Sequence, residues 1–203
     1  MNKTYIAICS ILITCFVALF VSCGDDDDNY TIDEVWKQRN EVLFEEAKAS
    51  GEYRRINTSS YQSGNRLYIL AKPSNTINTD VSLAPLINNN GYAEFTDTII
   101  CRYEGWLYDK NNEKYIFDST ENKVTGGTSS SHPNYVPVKL TVSNIIEGWR
   151  TALTEMKEGD ELEIVVPYQL GYGISGSSDP IKPYTTLYFR IKLLKIVPMT
   201  GKK

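Results

Sequence analysis

The chain has little of what covalent or metal chemistry uses. Its 203 residues include one histidine, His132, and four cysteines, three of them (Cys9, Cys15 and Cys23) within the first 23 positions. A catalytic triad, a zinc site or a Cys-His pair needs more than that, and His132 stands in Ser129-Ser130-Ser131-His132-Pro133, a loop-forming string without a second ligand. Excess positive charge is missing too. With 21 Lys and Arg against 25 Asp and Glu, the net charge is −4, so nucleic acid is not an expected partner. One string, Gly171-Tyr172-Gly173-Ile174-Ser175-Gly176, spells a phosphate-cradling pattern. A dinucleotide site needs a helix opening at those glycines, and Asp179-Pro180-Ile181-Lys182-Pro183 enforces a loop instead. No cofactor and no metal are expected.

Long apolar runs are also scarce, and the single one, Ile6 to Val21, follows the cation Lys3. It reads as an export leader over residues 1–22. A membrane span is the weaker alternative, because the run is short and Cys9, Ser10, Thr14 and Cys15 interrupt it. Val21-Ser22-Cys23 resembles the lipobox of bacterial lipoproteins, with Phe20 where leucine is usual, which implies acylation of Cys23 and a membrane anchor. Cys101 is then the one other cysteine, and no intrachain disulfide is expected. Residues 23–30 form a tether around Asp25 to Asp28. That run lacks the spaced ligands and turn glycine of a calcium loop, and it resembles the surface-export signal of Bacteroides-group lipoproteins. The expected location is the cell envelope, as an outer-membrane lipoprotein with a surface-exposed orientation among its options.

Residues 31–65 read as an N-terminal helix and linker. Thr31 and Glu34 have capping-box spacing, Tyr30 and Val35 the placement of a hydrophobic staple, and Ile32, Val35, Trp36, Val42, Leu43 and Ala47 an apolar side that ends at Ser50-Gly51. Arg39 and Glu46 break that side, which argues for a spacer or a helix packed on its own domain over a dimerisation arm. Tyr53 to Asn65 is polar and carries loop chemistry. Leu67 to Ala71 reads as a strand stopped by Pro73.

The rest of the chain is organised around Asn144 to Asp160. Trp149, Ala152, Leu153 and Met156 fall at i, i+3, i+4 and i+7, the stripe of a short helix, with Gly159 placed as its left-handed stop. Around it lie period-2 alternations: Ile99, Cys101, Tyr103; Val136, Val138, Leu140, Val142; Leu162, Ile164, Val166; and Leu187, Phe189, Ile191, Leu193. Strands before and after one helix predict an α+β domain over residues 66–198, a twisted antiparallel sheet wrapped around that helix. Cys101 faces inward as an inert packing group. Tyr103, Trp106, Phe117, Trp149, Tyr172, Tyr184 and Phe189 exceed what such a core requires, and with Asp118 they suggest an apolar ligand pocket.

Six linked motifs carry a family resemblance: Tyr103-x-Gly105-x-Leu107, Phe117-Asp118-Ser119, Ile145-Ile146-x-Gly148-Trp149, Met156-x-x-Gly159, Val166-Pro167-x-x-Leu170-x-Tyr172-Gly173, and Pro183-x-x-Thr186-Leu187-x-Phe189. In that order the chain from about Asp97 to Val197 resembles FKBP-type peptidyl-prolyl cis-trans isomerases. The resemblance implies an isomerase without covalent catalysis that acts on proline-containing protein substrates and assists folding of exported or outer-membrane proteins. Macrolide-type inhibitors are further implied ligands. Trp149 would be the floor of a proline pocket, walled by Tyr103, Phe117, Ile145, Ile146, Tyr172, Ile181 and Phe189. The Ile146 amide and the Tyr172 hydroxyl would contact the ligand, and Asp118, held by Tyr103, would sit beside the rotating bond. Ungapped counting puts Val136 at an aromatic wall position, with Tyr135 one residue away to replace it. Two segments, Tyr108 to Ile116 and Val124 to His132, are longer than the family's usual loops and should flank the pocket mouth. The alternative reading is a catalytically weak binding or chaperone module of the same fold.

Overall fold

The structure, a computed structural model, describes residues 33–75, 77, 91–121 and 136–199. The leader, Cys23, the acidic run, Tyr30, Thr31, Tyr135, His132 and the 124–132 segment lie outside the described residues. In chain order the elements are helix α1 (Glu34–Ala49), strands β1 (Arg54–Gln62), β2 (Asn65–Pro73), β3 (Thr98–Tyr108), β4 (Lys114–Ser119) and β5 (Val138–Thr141), helix α2 (Glu147–Leu153), and strands β6 (Glu161–Val166) and β7 (Leu187–Val197).

The strands form one antiparallel sheet in the order β1-β2-β6-β7-β3-β4. β3 pairs with β7 along residues 98–106, and its other edge is shared, residues 98–101 with β5 and 104–108 with β4. The period-2 readings land on one face. Ile99, Cys101, Tyr103, Leu162, Ile164, Val166, Leu187, Phe189, Ile191 and Leu193 join Trp149, Ala152, Leu153 and Met156 of the α2 region in a single core. In β7 the next buried residue after Leu193 is Ile196, three positions on. A bulge at Leu194, where Ile100 faces Lys195 and Cys101 faces Leu193, shifts the alternation by one. Cys101 is fully buried and unbridged, and burial pushes its thiol up to about 12.

Two strands escaped the sequence reading. Residues 54–62, expected as loop, are the edge strand β1, turned into β2 through Ser63 and Gly64 at positive φ. Only Ile56 and Thr58 of β1 are buried, so a mostly polar edge strand shows no hydrophobic alternation. β4 has the same cause, with one buried residue, Ser119. Conversely, Val136 precedes β5, and Val142 opens a 3-10 turn, Val142–Asn144. The central helix is also shorter than its stripe: regular bonding stops at Leu153, while Met156 reaches the core from the turn beyond. Gly159 does adopt φ +94, six residues past the helix end.

α1 packs through Phe44 on the opposite face of the sheet and through Trp36 on the main core. Its cap is Asp33, whose carboxylate accepts the Trp36 amide at 3.0 Å, two residues after the expected Thr31. Its buried side is Trp36, Asn40 and Phe44, at i, i+4, i+8, while Val35 and Val42 are exposed. Phe44 joins Leu70, Trp106, Val165 and Tyr188 in a second cluster. The middle of β3 is therefore buried on both faces, and its strict alternation gives way to a continuous buried run from Cys101 to Leu107.

Candidate active site

α2 starts where the 3-10 turn meets Ile145-Ile146, and both flanks of that dipeptide are fixed. Arg150 Nη1 donates to the Ile145 carbonyl at 2.6 Å, and the Ile146 carbonyl accepts the amides of Trp149 (3.1 Å) and Arg150 (3.2 Å). Glu147 accepts hydrogen bonds from the Thr58 and Ser60 hydroxyls of β1. The irregularity in β1 between Asn57 and Tyr61 accompanies this contact. Among the described residues the Ile146 amide makes no backbone hydrogen bond, so it is a donor left over at the helix start.

Trp149 lies below, 4 % exposed, with two aromatic rings edge-on: Tyr103 at 5.1 Å and Phe189 at 5.4 Å, both at 83°. Phe117 crosses Phe189 at 5.7 Å. Two glycines permit this packing. A Cβ on Gly105 would meet Phe117 Cζ at 2.8 Å and Phe189 Cε1 at 2.9 Å, and one on Gly148 would collide with both methyls of Val166. The rings enclose a pocket of about 220 Å³ lined by Tyr103, Leu140, Asn144, Ile145, Ile146, Trp149, Tyr172 and Phe189.

Six of the residues expected from sequence thus meet in one pocket. Phe117 and Asp118 are half-buried and outside the lining, Phe117 against Phe189 and Asp118 accepting the Tyr103 hydroxyl. Ile181 is in the core, 7 % exposed, and outside the lining. Val136 is 48 % exposed and also outside it. Leu140 and Asn144 are lining residues that sequence reasoning missed. By its spacing Leu140 is an ordinary strand residue, and Asn144 carries no signal in its type. Burial, and then its hydrogen bond to Asp118, raise the Tyr103 phenol pKa; burial and the charge of Asp118 do the same for Tyr172. Both hydroxyls remain donors through neutral pH.

Larger hollows exist, and in the most voluminous of those described several polar groups are already engaged. A 540 Å³ groove between β1 and α2 holds Arg66, bonded to the Thr58 carbonyl, Thr154, bonded to the Thr151 carbonyl, and the Glu147 cluster. No group of three or more His, Cys, Asp or Glu able to hold a metal occurs among the described residues. The aromatic pocket is different in kind: an apolar concavity with an unused amide and a phenol at its rim, suited to taking in an apolar ring and an adjoining carbonyl.

Comparison with known proteins agrees with this geometry. Residues 90–194, just over half of the chain, match the family described as FKBP-type peptidyl-prolyl cis-trans isomerase. The chain is 36 % identical over 100 residues to a probable FKBP-type peptidyl-prolyl cis-trans isomerase, FkpA, of Neisseria meningitidis serogroup B. That match covers 49 % of this chain but only 31 % of the Neisseria protein. An FK506-binding protein of Neisseria meningitidis serogroup C is 33 % identical over 98 residues, 48 % of this chain and 78 % of that protein. The crystal structure of a peptidyl-prolyl cis-trans isomerase from Pseudomonas syringae pv. tomato superposes with a TM-score of 0.54 at 22 % identity, covering 86 % of this chain and all of the other, a likeness of fold. With the matched region spanning β3 to β7, α2 and the aromatic pocket, this chain belongs to the FKBP-type peptidyl-prolyl cis-trans isomerase family.

Proposed function

We propose that the protein catalyses cis/trans isomerisation of Xaa-Pro bonds in exported proteins, with the prolyl ring seated on Trp149 between Tyr103 and Phe189. The observation that carries this reading is the three-ring pocket with the unused Ile146 amide at its edge. Its 220 Å³ lies below the roughly 300–1,000 Å³ of pockets for drug-sized ligands and suits one prolyl ring with its preceding carbonyl.

No nucleophile is required, because rotation about the amide breaks no covalent bond; the barrier of about 20 kcal/mol is resonance. Ile145 and Leu140 keep water from the ring, the Ile146 amide and the Tyr172 hydroxyl hold substrate carbonyls, and Tyr103 holds Asp118 beside the rotating bond. The twisted amide, stripped of resonance, is bound better than either planar form. Moving a relaxation of tens of seconds to milliseconds requires about 5–6 kcal/mol, within reach of such contacts. Val136 would extend the wall at the β5 side, and Ile181 would support it from the core.

The test is isomerisation of an Xaa-Pro peptide by the purified protein. Acceleration is expected, with kcat/KM about a hundredfold lower in Trp149→Leu; a folded wild-type protein no faster than buffer rejects the reading. The exposure of Val136 (48 %) and Tyr172 (39 %) favours one rival, a binding module for proline-containing segments, which saturable client binding without turnover would select. Macrolide-type inhibitors would compete at the same rings.

Location completes the proposal. Acylation of Cys23 after removal of residues 1–22 would anchor the protein to the outer membrane, with residues 23–30 as tether. Palmitate labelling that persists in Cys23→Ala would reject the anchor.

A further inference from the structure

The loop from Gly171 to Thr186 carries Tyr172 of the pocket wall and Ile181 of the core, yet no strand among the described residues pairs with it. Its returning arm is held by α1. Asn40 is 1 % exposed and accepts two hydrogen bonds from Thr186: its Oδ1 from the Thr186 amide at 2.8 Å, and its backbone carbonyl from the Thr186 hydroxyl at 2.8 Å. Asn40 Nδ2 donates to the Trp36 carbonyl at 2.9 Å. Trp36 Nε1 donates to Thr185 Oγ1 at 3.1 Å, and that hydroxyl donates to the Lys182 carbonyl at 2.7 Å.

An asparagine in the middle of a helix is a poor helix former and a costly group to bury. This one has both amide ends satisfied, so its polarity serves the junction with the loop. From the junction the constraint reaches the pocket in two steps. Tyr184, held at φ +62, donates its amide to the Gly173 carbonyl at 3.0 Å, and Gly173 adjoins Tyr172. The Tyr184 ring packs on Tyr168 at 5.0 Å, with Lys37 of α1 5.5 Å from its centre.

We propose that Asn40 and Trp36 are positioning residues for the pocket: α1 is part of the isomerase unit, and its grip on Thr185 and Thr186 fixes Tyr172 in the pocket wall. The proposal rests on the isomerase reading for its kinetic consequence and stands on its own for the loop. It differs from simple stabilisation, because Phe44, one helical turn further along, packs on Tyr68 and the second cluster without touching residues 182–186 by any hydrogen bond.

The experiment uses the full chain and compares Asn40→Ala, Thr186→Ser and Phe44→Leu with wild type by peptide isomerisation and residue-resolved hydrogen exchange. In Asn40→Ala the KM should rise about fivefold with a smaller change in kcat, and the Tyr184 amide should lose about tenfold in protection. Thr186→Ser, which keeps the hydroxyl, should retain wild-type values of both. Phe44→Leu should lower the unfolding midpoint and leave KM and Tyr184 protection unchanged. If Asn40→Ala does not fold, Trp36→Phe, which removes the indole donor to Thr185 and leaves the bond of that hydroxyl to the Lys182 carbonyl in place, should loosen Tyr184 in the same way. Wild-type Tyr184 protection in the folded Asn40 or Trp36 variant overturns the proposal, as does an equal loss in Phe44→Leu. Wild type with no isomerase activity would reject the function reading alone, since the exchange comparison still decides whether α1 positions the loop.

Discussion

Gly148→Ala asks whether α2 is seated as closely on the sheet as the pocket requires. A methyl at residue 148 would lie 2.8 Å from Val166 Cγ2, 3.2 Å from its Cβ, and closer still to Cγ1. Val166 is fully buried in β6 and paired with Leu187, so it has little room to retreat. Overpacking of this kind costs about 1–3 kcal/mol, and the better helix propensity of alanine returns up to about 1 kcal/mol. A net loss of about 1–2 kcal/mol is expected, read as a lower urea midpoint at unchanged slope. The activity effect should be larger than the stability effect, because α2 carries Ile146 and Trp149, and a shift of about 1 Å in positioned groups costs on the order of a hundredfold in rate. Val166→Ala removes the obstructing methyls, so the double variant should recover much of both losses, giving a coupling energy of about 1–2 kcal/mol in the cycle. A Gly148→Ala protein as stable and active as wild type, or a double variant whose losses simply add, would refute the close seating.

Two further outcomes follow from the same geometry. Glu147→Ala, which strands the Thr58 and Ser60 hydroxyls, should destabilise by about 1–3 kcal/mol, whereas Glu147→Gln keeps an acceptor and should lose less; urea titration distinguishes them, and equal losses would count against the β1 tie. Tyr103 has a folded-state pKa raised above its ordinary 10 by burial and then by Asp118, so its contribution to stability is complete below pH 10 and is lost as pH rises above that value. Unfolding free energies between pH 8 and 11 should decline by up to about 1.4 kcal/mol per pH unit for this group, and the decline should be shallower in Tyr103→Phe.

Much of the site was legible because its residues do two jobs. Trp149, Tyr103 and Phe189 are core residues by period and pocket residues by position, so patterns that predict burial also found the pocket. Leu140 and Asn144 were missed for the opposite reason: the one looks like any strand residue, and the other enters the lining only because the 3-10 turn carries it there. The edge strands β1 and β4 were invisible because an edge strand with one or two buried residues leaves no periodic trace. In α1 the apolar residues Val35 and Val42 pointed to the wrong side, since the face that docks contains a buried asparagine.

The sequence by itself determined the fold class, the identity of the central helix and the inward face of four strands, since local spacing dictates which side chains can share a face. It also pointed to an aromatic pocket, because aromatic residues at strand ends, the helix start and loops exceed what a core of this size requires. Only the tertiary structure decided how those rings meet edge-on at Trp149, how the β1 hydroxyls reach Glu147, and how α1 grips the loop beside the pocket. These contacts join residues as many as 149 positions apart in the chain, and such pairings are set by strand order and by a bulge in β1, neither of which leaves a mark on local periodicity.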